Sequence, residues 1–202
     1  MYVETGIGGF RINHFSKMLK RGMSKSEIEK ELEGKGDFVQ LDYLVSFLKE
    51  DLPTDVRKFV MLKIAEMYER KSMFNEAGKI YNNLAIFSIP FSEKVRYHVK
   101  EAESYIKGGS FREADYATSK AMNQANTFEK NDIMSSIKQF YRRQAEAYEK
   151  NMRRNNATRL YEKLLELSTT ETEKRPVREK LMDLYQKLGK FREYNVMKGL
   201  NK

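Results

Sequence analysis

Apolar side chains recur along this chain at the spacing of an α-helix, with charged and polar residues between them. Ser24 and Glu27 form a capping box that predicts a helix at about residues 25–33, and the GKGDF segment at residues 34–38 ends it. A second apolar face at helical spacing follows from Phe38. The β-branched residues are too scattered to build a sheet, so the sequence predicts an all-α protein of about ten helices.

Later helix boundaries are indicated by turn-forming residues and by changes in the apolar period. Pro90 stops one helix, because proline cannot continue it. The TFEKND segment at residues 127–132 is either a longer loop or an added turn on each neighbouring helix, and the helical period is clear again from Ile133. Another helix is predicted from about Val177.

One frame of residues recurs through most of the chain. A small residue stands three positions before a tyrosine, a phenylalanine six after it and an alanine nine after it. In the first occurrence these residues are Ala65, Tyr68, Phe74 and Ala77. The tyrosine returns in steps of 37, 43 and 37 residues, as Tyr105, Tyr148 and Tyr185, with Arg154 in the phenylalanine position after Tyr148 and Tyr194 in the alanine position after Tyr185. A divergent leading pair places Leu32 in the tyrosine position. Such a period is typical of stacked helical hairpins.

These recurring residues resemble the tetratricopeptide repeat, in which two antiparallel helices carry small residues where they cross. The matching small residues are Ala65, Ala77, Ala102, Ala114, Ala145 and Ala157. The resemblance implies a right-handed solenoid of antiparallel helix pairs. We expect residues 1–23 to be poorly ordered or a short helix, and residues 24–202 to form one helical-repeat domain with a divergent cap at 24–50 and four units over about 55–202. The steps exceed the usual ~34 residues, which resembles variants in vesicle-fusion adaptors and proteasome-lid subunits, and the sub-family stays open.

Three charged rows follow the first helix of each predicted pair. Five residues before each tyrosine stands a base: Lys63, Lys100, Arg143 and Lys180. Two before it stands an acid: Glu66, Glu103, Glu146 and Asp183. Two after it stands another base: Arg70, Lys107, Lys150 and Lys187. These offsets fall within about 60° of one another on a helix, and in the tetratricopeptide family the first helices line a concave groove that grips ligands. The rows are therefore a candidate partner-binding face, and the alternative is a solvated face whose acid–base pairs each contribute about 0.2–0.5 kcal/mol.

The net charge of +9 is concentrated in the last third of the chain. Residues 131–202 hold 17 Lys and Arg against 10 Asp and Glu, whereas residues 1–130 hold 21 against 19. Arg153 and Arg154 begin a basic corner there. Such a bias attracts acidic proteins, nucleic acid or an anionic membrane surface, or simply keeps a protein in solution. The sequence predicts a non-enzymatic scaffold or adaptor for an acidic or mixed-charge protein or peptide, and the alternative is an RNA-binding helical-repeat protein.

Catalytic chemistry finds little support in the sequence. The chain has no cysteine, which excludes disulfides, thiol nucleophiles and zinc thiolates. His14 and His98 lie far apart and have no acidic cluster at metal-ligand spacing beside them, so we expect no enzymatic activity, metal or cofactor. No apolar stretch approaches the ~20 residues of a membrane-spanning helix. The first ten residues, MYVETGIGGF, lack the basic and apolar segments of a signal peptide, and cytoplasmic residence is the expectation.

Overall fold

The computed structural model of this chain describes residues 19–200. Those residues form ten α-helices and no strand, which confirms the predicted all-α class. In chain order the helices are α1 (Lys25–Leu32), α2 (Asp37–Phe47), α3 (Thr54–Arg70), α4 (Phe74–Phe87), α5 (Phe91–Gly108), α6 (Phe111–Gln124), α7 (Thr127–Lys150), α8 (Arg154–Leu167), α9 (Glu171–Lys187) and α10 (Phe191–Leu200). Within this range no helix has the length and apolarity that a bilayer crossing requires. The expectation for residues 1–23 falls mostly outside the described residues.

The chain divides into two compact units, one up to Ile64 and one from Ala65 onward. In the first unit the capping box is present as predicted, because Ser24 accepts from the Glu27 amide and the Glu27 carboxylate accepts from the Ser24 amide. Apolar residues of α1, α2 and the first part of α3 form the buried core of this unit: Ile28, Leu32, Leu44, Phe47, Val60 and Ile64. The predicted cap and repeat boundaries stay predictions.

In the second unit, consecutive helices from α4 to α10 pack against each other, and α5 also packs against α7. The small-residue rows are buried as expected, with Ala102, Ala114, Ala145 and Ala157 each at most 1% exposed. A methyl group at these positions lets neighbouring helix backbones approach closely, because a larger side chain would hold them apart. We refer to α3, α5, α7 and α9 as the first helices and to α4, α6, α8 and α10 as the second helices.

All four turns between a first and a second helix have the same backbone conformation. We call Tyr68, Tyr105, Tyr148 and Tyr185 the frame tyrosines. The residue four positions after each of them has a positive φ, between 57° and 74°. These residues are Ser72, Gly109, Met152 and Gly189. The next residue donates its amide hydrogen to the tyrosine carbonyl, over 2.8–2.9 Å in all four turns. This is the hydrogen bond of a Schellman motif, which closes the C-terminal end of a helix. The repeated frame therefore corresponds to a repeated local structure.

The structure fixes the start of one first helix that the sequence leaves open, and it places the start of another earlier than predicted. The structure starts α7 at Thr127, because Asn126 and Glu129 form a capping box there, so the TFEKND segment is entirely helical. It starts α9 at Glu171, because the Thr170 side chain caps the Glu173 amide. The prediction of a start at about Val177 is wrong, since α9 accommodates Pro176 within its length.

The long α7 accounts for the 43-residue step, which exceeds the other steps by six residues, because α7 gains seven residues and the connection before it is one residue shorter than those before α5 and α9. It has 24 residues, against 17 in α3 and in α9. It begins 21 residues before its tyrosine, whereas the other first helices begin 14 residues before theirs. Seven residues are about 20° short of two full helical turns, so the faces of α7 keep the orientation that they would have in a shorter helix.

Candidate functional site

Three residues of the charged rows meet in the second unit, at a depression of about 460 Å³ between α7 and α9. Three predicted binding residues line this α7/α9 depression: Glu146, Lys180 and Asp183. Arg142 and Glu179 also line it, and Tyr161 of α8 contributes to it with Pro176 and Val177. Two consecutive first helices thus present charges of both signs around one concavity.

Ion pairs fix several of these charges. Lys180 donates to Glu149 of α7 across 2.8 Å, and this bond raises the pKa of Lys180 above its ordinary value. Asp183 accepts from Lys187 one turn later, across 2.6 Å. Glu146 has neither a hydrogen bond nor an ion pair from its side chain among residues 19–200. The depression therefore contains both engaged charges and a carboxylate available to a ligand.

A buried tyrosine contributes to the same depression. Tyr161 is 2% exposed, and its hydroxyl lies near the Glu149 carboxylate without a well-formed hydrogen bond in the described part of the chain. Burial, and secondarily the nearby Glu149 and Glu146 carboxylates, raise the pKa of Tyr161 well above its ordinary range. The ring is therefore neutral at any physiological pH and supplies apolar surface between the charges.

The remaining row residues are placed differently. Lys63 belongs to the first unit, where it pairs with Glu29 across 2.7 Å. Lys100 lies 3.7 Å from Glu103 on its own helix. Glu66, Arg143 and Lys150 are exposed, as is Arg153 in the turn after α7, and Arg154 at the start of α8 is half-buried. None of these residues lines the α7/α9 depression. The predicted rows thus supply three residues to this depression and do not all converge there.

A second cluster of charges was not predicted from the sequence. His98 and Glu101 of α5 are buried, at 8% and 3% exposed, and His98 Nδ1 lies 2.8 Å from Glu101 Oε2. Lys120 of α6 donates to both Glu101 carboxylate oxygens, at 2.7 and 2.8 Å. In the sequence, His98 and Glu101 stand seven and four residues before Tyr105. At the same offsets from the preceding tyrosine the chain carries the apolar Met61 and Ile64, so this exchange of apolar for polar residues was the signal for the cluster.

Neither a protein-family model nor a curated protein sequence matches this chain. Among solved structures, a similar one is the crystal structure of BtubC (BKLC) from P. vanneervenii, with 15% sequence identity over 86% of this chain and 75% of that one. The TM-score is 0.38, and at that value the likeness carries no argument about fold or function. The class that the described residues define is an all-α protein of ten helices. Its assignment to the tetratricopeptide family stays a prediction.

Proposed function

We propose that this chain is a non-enzymatic protein-binding scaffold or adaptor of tetratricopeptide type, which holds a mixed-charge helix or peptide on its first helices. The observation that carries the proposal is the α7/α9 depression. There Arg142 and Lys180 alternate with Glu146, Glu179 and Asp183 around an apolar floor. Such a pattern complements a ligand that carries both signs of charge around an apolar anchor.

A bare phosphate backbone fits this depression less well than a protein does. Phosphates bind where Lys and Arg neutralise them, and each nearby carboxylate opposes that binding. Three carboxylates line the α7/α9 depression beside two bases. The proposed ligand is therefore a protein segment with basic as well as acidic side chains.

RNA binding is the second candidate function. It is supported by the excess of seven positive charges over residues 131–202, and by Arg153, which is exposed in the turn between α7 and α8. An RNA ligand would contact that corner and the basic surface around it, since the α7/α9 depression itself is of mixed sign.

Affinity purification of the full chain from cells, with and without nuclease, followed by mass spectrometry, separates the two candidates. For a protein adaptor we expect a protein partner that survives nuclease treatment. For an RNA-binding protein we expect retained RNA whose affinity falls steeply as salt rises from about 50 to 200 mM, because bound phosphates release counterions.

With the partner in hand, the double variant Arg142→Glu with Arg143→Glu tests where it binds. Both arginines are exposed, so the fold should be unaffected. We expect at least a tenfold weaker affinity and slower association, because like charges would face the acidic part of the partner. The matched control is Arg192→Glu with Lys198→Glu, two exposed positions of the second helix α10, which should bind the partner normally. Equal effects from both pairs would contradict a site on the first helices.

A further inference from the structure

The second helices contain a separate groove that the sequence did not predict. It has a volume of about 930 Å³, with α4 and α6 as its walls and α5 as its floor. The two walls run in the same direction, because Ser110 Oγ donates to Asn75 Oδ1 near their starts and Lys120 Nζ donates to Asn82 Oδ1 farther along. We call this the α4/α6 groove.

A glycine sets the position of the groove's aromatic floor. The Tyr105 ring lies so close to Gly78 of α4 that a Cβ atom added there would come within 2.8 Å of Tyr105 Cζ. Tyr105 lines the groove. The ring occupies this place because α4 has no side chain at position 78.

The buried charges of the floor neutralise one another. Glu101 is engaged by Lys120 and lies in hydrogen-bonding range of His98, and Lys120 also donates to Asn82 and lies 5.0 Å from the centre of the Tyr116 ring. A buried carboxylate requires such partners, since an unpaired one would be costly. The floor therefore offers a ligand no free charge.

The walls offer hydrogen-bonding groups without partners. The carboxamides of Asn83, Asn123 and Gln124 line the groove and make no hydrogen bond from their side chains within residues 19–200. Each carboxamide carries both donors and an acceptor, which match the C=O and N–H of a peptide unit. Ile86 and Tyr116 stand beside them, 67% and 69% exposed, and provide apolar contact surface.

At the end of the groove opposite the three carboxamides, the lining carries net positive charge. Lys79 and Arg112 line it from the first halves of α4 and α6, and both are exposed and form no ion pair among the described residues. Apart from Glu101, which Lys120 engages, Glu113 is the acidic residue in the lining. This end therefore attracts a negatively charged group.

We propose that the α4/α6 groove is a second peptide-binding site, distinct from the surface on the first helices. It takes an extended segment of a protein, whose backbone pairs with the three carboxamides and whose apolar side chain rests on Ile86 and Tyr116. An acidic side chain of that segment lies at Lys79 and Arg112. The chain would then bind protein on two different sets of helices.

Selection of phage-displayed random heptapeptides on the full chain provides the probe. We expect enriched peptides that combine an acidic residue with an apolar one. For a fluorescein-labelled enriched peptide, measured by fluorescence anisotropy, we expect at least a tenfold rise in Kd for Asn83→Leu with Asn123→Leu, and a similar rise for Lys79→Glu with Arg112→Glu. Arg192→Glu with Lys198→Glu, at exposed positions of α10 that line neither site, is the control and should bind normally. Circular dichroism melting verifies that each variant is folded.

Three results would overturn this proposal. One is the absence of any enriched peptide, and another is an enriched peptide whose Kd is unchanged in both groove variants. The third is a labelled oligo-uridine that binds the wild-type chain and loses affinity in these variants, because it would make the groove a nucleic-acid site. A failure of the first-helix proposal would be visible separately, as a cellular partner that is unaffected by Arg142→Glu with Arg143→Glu.

Discussion

Buried tyrosines of the second unit differ in whether their hydroxyl groups are hydrogen-bonded. Tyr185 donates to Glu162 across 2.8 Å. Tyr141 is more deeply buried, at 1% exposed, but its hydroxyl has no partner within the described residues. A buried polar group without a partner loses its hydration and gains nothing in return. The two hydroxyls should therefore have opposite effects on stability.

The pair Tyr185→Phe and Tyr141→Phe tests this difference. Tyr185→Phe should lower the free energy of unfolding by about 1 kcal/mol, because a formed hydrogen bond is lost. Tyr141→Phe should leave it unchanged or raise it, because the ring and its edge contact with Phe111 are kept. Urea denaturation followed by circular dichroism measures both. An equal loss in Tyr141→Phe would show that its hydroxyl is bonded in solution.

At the scale of the helix pair, the four turns share a left-handed residue that only two of them fill with glycine. Ser72 and Met152 have φ of 57° and 59°, a conformation in which a Cβ atom is strained. Both side chains are exposed, so removing them costs little packing. The strain is present because the hydrogen bond to the tyrosine carbonyl fixes the turn.

Glycine exchange at these turns should change stability in opposite directions. Ser72→Gly and Met152→Gly should each raise the free energy of unfolding by up to about 1 kcal/mol, since glycine adopts this conformation without strain. Gly109→Ala and Gly189→Ala are the matched reverse changes and should each lower it by about 1 kcal/mol. Thermal melting of the four single variants checks the signs. Destabilisation by both glycine substitutions would contradict the turn conformation.

The helices and their packing also show how much of the structure the sequence could predict. The alanine rows were found because a small residue at a recurring offset marks a helix crossing, and the offset is visible without coordinates. The predicted start of α9 is too late and that of α7 is left open, because the apolar period marks neither start. Capping by Asn126 and Thr170 adds mostly polar turns before that period begins. The α4/α6 groove was missed because its carboxamides come from two helices whose register depends on tertiary packing.

For the whole molecule, we expect acidic pH to lower the stability of the fold. The chain carries +9 at pH 7, and protonation of its 29 Asp and Glu adds to that charge. Glu173 resists this protonation. Its carboxylate accepts from Lys138 of α7 at 2.9 Å and from the Thr169 amide at 2.9 Å. These bonds lower the pKa of Glu173 from 4.5 to about 2.

The sign of the pH effect follows from the lowered pKa. Ionised Glu173 stabilises the folded chain fully above about pH 4.5, and its contribution is lost as the pH falls toward about 2. Glu173→Gln should therefore melt at a lower temperature than the wild type at pH 7, with a gap that narrows between pH 4.5 and pH 3. Glu179→Gln, an exposed change on the same helix, should melt close to the wild type at pH 7. A gap of constant size from pH 7 to pH 3 would contradict the assignment.

The seven additional residues of α7 have a consequence for how such a chain can change in length. An insertion of one heptad returns the helix almost to its starting orientation, so the frame residues after it keep their neighbours. An insertion of two or five residues would turn those same residues away from the core. First helices of this architecture can therefore lengthen in evolution by whole heptads while the downstream hairpins stay in place. In α7 the added length carries Phe128, which is 86% exposed, as new surface on which selection can act.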